Sequence, residues 1–215
     1  MADSCCAAPS NDNSAGSDSA WRRVLWIALI ANGAMFLVEI IAGAASGSRA
    51  LQADALDFLG DTANYAISLG VAGLALVWRA RTALVKGLTI LAFAFGVMVS
   101  AVWGIFAGTQ PDPWAMTGIG ALALVTNVSV AVLLYRFRAG DSNMRSVWVC
   151  SRNDAINNLL VIGAGAAVLW SGSNLPDLIV AFIMAAFGIS GGWQVVRQAL
   201  QELEQPGSPS LEQAE

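Results

Sequence analysis

Apolar residues dominate six stretches of the chain, at 22–44, 50–78, 84–108, 114–136, 146–170 and 177–197. Each is long enough to cross about 30 Å of hydrocarbon, which takes about 20 residues of helix at about 1.5 Å apiece. The pattern predicts an all-α, polytopic membrane protein with six transmembrane helices. The third and fourth stretches carry no charge through their middles, and the first holds only Glu39 in its interior. Asp177 and Arg197 bound the last, with nothing charged between them. The second and fifth break the rule: one holds Asp54, Asp57 and Asp61, the other Arg152 and Asp154.

An even number of spans puts both termini on one side, and the basic residues say which. Arg22 and Arg23 precede the first span, Arg79, Arg81 and Lys86 separate the second from the third, Arg136, Arg138 and Arg145 the fourth from the fifth, and Arg197 closes the sixth. Nine of the eleven Lys and Arg residues thus fall on the terminal side, against Arg49 alone on the other, with Arg152 inside a span. Both termini are expected to be cytoplasmic, in a multi-pass protein of the inner, or cytoplasmic, cell membrane. Residues 1–20 are rich in Ser, Asn, Asp, Ala and Gly, and read as a disordered tail with no basic region of a cleaved signal peptide. The expected organisation is a tail at 1–20, a transport domain at 21–198, and a tail at 199–215 too short to fold alone.

Composition agrees with the bilayer. The 215 residues are 56% apolar and 12% charged, about half the charge of a soluble domain, and the mean hydropathy is +0.61. A net charge of −4 without a basic patch excludes nucleic acid as a partner. The chain has no histidine, which excludes imidazole chemistry, and its three cysteines make no disulfide framework. No phosphate loop, nucleotide site or catalytic triad is present, so the chain does not read as an enzyme. Small residues such as Gly188 to Gly192 read as helix-packing surface.

Ionisable groups inside a membrane are costly and usually functional. Spacings of three and four place Asp54, Asp57 and Asp61 on one helical face, and Cys150 shares a face with Asp154, continued by Asn157 and Asn158. Asp57, Asp61, Cys150 and Asp154 together offer the four ligands of a tetrahedral divalent-metal site. A water-filled vestibule or ion pairing with Arg152 would use the same carboxylates. Arg152, however, lies about 200° around the helix from Cys150 and Asp154, within snorkelling reach of the cytoplasmic interface.

The stretch from Ala31 through Glu39 to Gly43, then Ser46-Gly-Ser-Arg-Ala-Leu-Gln-Ala-Asp54-Ala-Leu-Asp57-Phe-Leu-Gly-Asp61, resembles the first two spans of the cation diffusion facilitators. Asn143-Met-Arg145-Ser-Val-Trp-Val-Cys150-Ser-Arg-Asn-Asp154-Ala is similar to the family's fifth span, and Asp177-Leu-Ile-Val to the start of its sixth. The resemblance covers nearly all of 22–200. It implies a homodimeric, proton-driven exporter of divalent transition metals whose transport site takes Asp57, Asp61, Cys150 and Asp154. The chain departs from the family in having cysteine where histidine often stands at Cys150, and aspartate where histidine sometimes stands at Asp57. It also lacks a histidine-rich loop, and reads as a form without the folded cytosolic C-terminal domain. Any dimer would then rest on membrane contacts, with Gly163, Gly165 and Gly188 allowing close approach.

Three carboxylates and a thiolate sum to −4 if all ionise, and two like charges 4 Å apart repel by about 4 kcal/mol at an effective dielectric of 20. The empty site is therefore expected to keep at least one proton, which the metal displaces. A thiolate among oxygen ligands favours zinc and cadmium, with iron and cobalt next. The metal is cargo, and no resident cofactor is expected. Cys5 and Cys6 read as a soft-metal trap on the tail or as inert thiols. Asp54, nearer the outer end, reads as an exit-path carboxylate or a packing group. A carboxylate-lined cation channel and a non-transporting metal sensor or partner stay open as alternatives.

Overall fold

The computed structural model describes residues 19–70, 76–137 and 142–204, with the backbone alone at 76, 79 and 142–153. Cys5, Cys6 and most of both predicted tails lie outside these residues, as do the side chains of Arg145, Cys150 and Arg152. The described residues form six helices and no strand: α1 (Ser19–Ser46), α2 (Arg49–Gly70), α3 (Leu76–Ala107), α4 (Pro113–Tyr135), α5 (Ser142–Ser171) and α6 (Leu175–Glu204). The all-α expectation is met, and the protein is an integral, multi-pass membrane protein.

Five helices are long and apolar enough to cross a bilayer, α5 through its 154–171 portion; α2 is the one that does not qualify by hydropathy. Its position explains the difference. α2 packs against all five other helices, and no large hydrophobic side chain on it is exposed, whereas every other helix carries several. Protein rather than lipid surrounds α2, so its outer surface need not be apolar. The remaining helices pair as α1 with α2, α3 with α6 and α4 with α5.

Glycine seams bring the pairs close. A Cβ on Gly87 of α3 would meet Val196 of α6 at 2.8 Å, and one on Gly165 of α5 would meet Thr117 of α4 at 2.7 Å. Gly188 and Gly192 face α3 in the same way, so the small-residue stretch of α6 serves packing. Gly165 and Gly188 are thus occupied within the chain, whereas Gly163 has open space beside it. Exposed hydroxyls on the lipid-facing helices bond their own backbone four residues back, as in Thr126 to Leu122 at 2.9 Å and Ser129 to Val125 at 2.6 Å.

The turns on the face opposite the termini are tight. Gly47, Gly108 and Gly172 follow α1, α3 and α5 with φ of 71°, 62° and 63°, the left-handed conformation that closes a helix with least strain in glycine. Asp112 caps α4, its Oδ1 accepting from the nitrogens of Trp114 at 2.9 Å and Ala115 at 3.4 Å. The N-terminus of α2 is capped by a distant residue. Asp177, in the first turn of α6, accepts from Ser48 Oγ at 2.6 Å, Arg49 N at 2.9 Å and Ala50 N at 3.0 Å.

The connection between the second and third helices differs from expectation. The apolar run through Trp78 extends the hydropathy of the second span, yet the described part of α2 reaches Gly70 and the chain is already in α3 at Leu76. Arg79 and Arg81, outside the predicted third stretch, belong to α3, as does Lys86, which is buried at 8% exposure. At the other end α6 runs to Glu204, beyond the expected end of the transport domain at 198.

A candidate metal centre between helices 2 and 5

The polar side chains of α2 lie between two apolar layers. One gathers Leu51 and Leu56 with Met116, Val161, Leu178 and Met184. The other gathers Trp21, Leu25, Tyr65, Val130 and Leu134. Successive turns of α2 carry Asp54, Asp57 and Asp61 through this interior, as the three- and four-residue spacing requires.

α5 meets that face. Asn157 Nδ2 donates to Asp57 Oδ2 at 2.7 Å, and Asn158 Nδ2 reaches both oxygens of Asp54, at 3.1 and 2.9 Å. Asp154, half-buried one turn before Asn157 and Asn158, approaches Asp61 across the helix gap. Tyr65 donates its hydroxyl to Asp61 Oδ2 at 2.7 Å. The structure thus brings Asp61 and Asp154 together and sets Asp57 on the same helix face against an α5 amide. Cys150 precedes Asp154 by four residues on α5, and its side chain lies outside the described residues. Among the described residues no three His, Cys, Asp or Glu side chains stand close enough to hold a metal as a group.

Asp54 takes another part. It is fully buried, both its oxygens are held by Asn158, and Asn158 accepts from Asn127 Nδ2 of α4 at 3.0 Å. On its other side lies Glu39 of α1, also fully buried. No donor among the described residues reaches either oxygen of Glu39. Two buried carboxyl groups side by side repel if both are charged, which a proton on either one relieves.

Sequence reasoning gave no role to Glu39, Asn127, Tyr65 or Lys86. Glu39 had a signal, as the single charge inside the first span. Lys86 reads from the sequence only as one of the basic residues on the terminal side. Its ammonium instead donates to Asn64 Oδ1 of α2 and acts electrostatically on Asp61, one turn away.

The chain matches the family model of the cation efflux transmembrane domain over residues 25–81 and 80–203. It is 26% identical over 212 residues to the zinc transporter ZitB of Escherichia coli, covering 92% of this chain and 67% of that protein. It is 23% identical over 209 residues to the metal cation efflux system protein CzcD of Cupriavidus metallidurans, covering 92% of this chain and 65% of that one. The chain thus spans about two thirds of the length of these relatives.

Proposed function

From the premise that this chain belongs to the cation efflux family, we propose that it exchanges divalent transition metal for protons across the cell membrane, exporting zinc and cadmium in preference to iron and cobalt. Metal ligands in this reading are Asp57 and Asp61 of α2 and Cys150 and Asp154 of α5. The observation that carries it is the meeting of Asp61 with Asp154 inside the bundle, on the two helices whose spacing predicts paired ligands. Carboxylates sequestered in a membrane interior bind cations or protons.

Proton exchange follows from charge. The cluster is acidic and α2 has no lipid-facing apolar surface on which to hide it. An arriving dication replaces protons that limit the repulsion among the carboxylates, and a departing one lets them return. The protons belong to the cluster, with the Glu39–Asp54 pair beside it as a further holder. The preference for zinc and cadmium rests on the Cys150 thiolate. Sidedness rests on the bias of the basic residues, which favours cytoplasmic termini.

Metal flux into proteoliposomes under an imposed pH gradient tests the reading. Saturable zinc uptake that stops when the gradient is collapsed supports it. Uptake indifferent to the gradient removes the coupling, and absence of flux removes the export.

A further inference from the structure

Lys86 is the chain's single lysine, and it is buried within a membrane-spanning helix. An ammonium in that position is retained only where it is paired and hydrogen-bonded. Its acceptor is Asn64 Oδ1, and Asn64 follows Asp61 by three residues, so both lie on one face of α2. Asp61 is also the carboxyl that meets Asp154. The cation therefore comes from α3, outside the pair of helices that supply the proposed ligands, and reaches in beside one of them.

α3 is bound closely to α6. Gly87, the residue after Lys86, has α6 so near that a Cβ would meet Val196 at 2.8 Å and Val195 at 3.1 Å. Where Lys86 goes, the α3–α6 pair goes with it. Contact between α3 and α2 is far sparser than between α3 and α6, and the Lys86–Asn64 bond is a polar tie across it.

We propose that Lys86 is a tethered counter-cation of the metal centre: it compensates Asp61 while the site is empty, and an arriving dication displaces it, breaking the tie between α2 and the α3–α6 pair. Two cations beside one carboxylate repel strongly in a poorly screening interior. Metal loading is thereby converted into loosening of that helix pair at the Asn64 end of the helix that holds the metal, while Asp177 of α6 still caps its start. The proposal rests on the metal-transport reading and adds to it a residue that acts through Asp61.

Because this chain has no other lysine, amine chemistry followed peptide by peptide reads this residue directly in the unmodified chain. The purified chain in detergent is treated with an amine-reactive acylating reagent with and without zinc, and the extent of modification at Lys86 is followed by peptide mass spectrometry. Zinc is expected to accelerate modification several-fold; an unchanged or slower rate overturns the proposal. Equilibrium zinc binding supplies the second arm. Lys86→Gln keeps a donor for Asn64 without the charge and should bind zinc about tenfold more tightly, which corresponds to about 1.4 kcal/mol. Lys86→Arg should restore the weaker, wild-type affinity. Equal affinity of Lys86→Gln and wild type would mean that Lys86 only packs. A wild-type protein that binds no zinc would instead overturn the transport reading on which this rests.

Discussion

Ser48 donates its hydroxyl hydrogen to Asp177 at 2.6 Å, joining the start of α2 to the start of α6 across 129 residues of sequence. The same carboxylate takes the backbone nitrogens of Arg49 and Ala50, which the first turn of an α-helix otherwise leaves without partners. Asp177 itself is buried at 1% exposure. Asp177→Ala would strand three donors, and it is expected to lower unfolding free energy by about 2–3 kcal/mol, with Asp177→Asn losing less because it keeps an acceptor. Denaturant titration in detergent checks this; equal stability of the alanine variant and wild type would contradict the cap.

Asp57→Ala, Asp61→Ala and Asp154→Ala are each expected to abolish zinc flux in proteoliposomes while the protein still purifies as a folded species. Removing one charge from a mutually repelling cluster relieves strain, so folding should survive. Wild-type transport by Asp61→Ala would sink the proposed centre.

Asp54 and Asn158 should behave differently from the ligands. Asn158→Ala leaves the buried Asp54 carboxylate without its amide donor, at an expected cost of about 1–3 kcal/mol in stability. Asp54→Asn should slow transport without stopping it. Complete loss of flux in Asp54→Asn, with zinc binding lost as well, would promote Asp54 to a ligand.

The thiolate at Cys150 sets the expected metal preference. Cys150→Ser keeps the size and removes the soft ligand, so cadmium transport should fall more than manganese transport. Cys150→His should recover zinc, because imidazole suits a tetrahedral site. The cadmium-to-manganese flux ratio at matched expression is the measurement. A ratio unmoved by Cys150→Ser would make the residue a packing group.

The orientation can be checked with a reporter that works only in the cytosol, fused after Glu215. A signal is expected. A silent but well-expressed fusion would reverse the assignment.

Much of this was legible in the chain because hydropathy and helical spacing are local properties. Six apolar stretches became six helices, and the i, i+3 and i, i+4 carboxylates of α2 did fall on the face that meets α5. Asn157 and Asn158, read as extensions of the Cys150–Asp154 face, proved to be the amides that hold Asp57 and Asp54. What could not be read was relational. Nothing local in Glu39 says that it faces Asp54, and nothing in Asp177 says that it caps a helix 127 residues earlier. Arg79 and Arg81 read as a connection because the apolar run continues through Trp78, although both belong to α3. Electrostatic partners across helices depend on which helices adjoin, and hydropathy is silent on that.

The capped end of α2 gives the bundle a fulcrum. Asp177 clamps the first turn of α2, Asp112 N bonds Ser46 O at 3.0 Å beside it, and the Gly47 turn leaves little slack between α1 and α2. Asp61 stands eleven residues beyond Ala50, about 16 Å along the lever at about 1.5 Å per residue. A tilt of about 10° about that pivot moves the carboxylate by about 3 Å while the pinned end stays almost still. Displacement about such a pivot grows toward the end where the Lys86–Asn64 contact lies, so that contact sits where a given tilt is felt most.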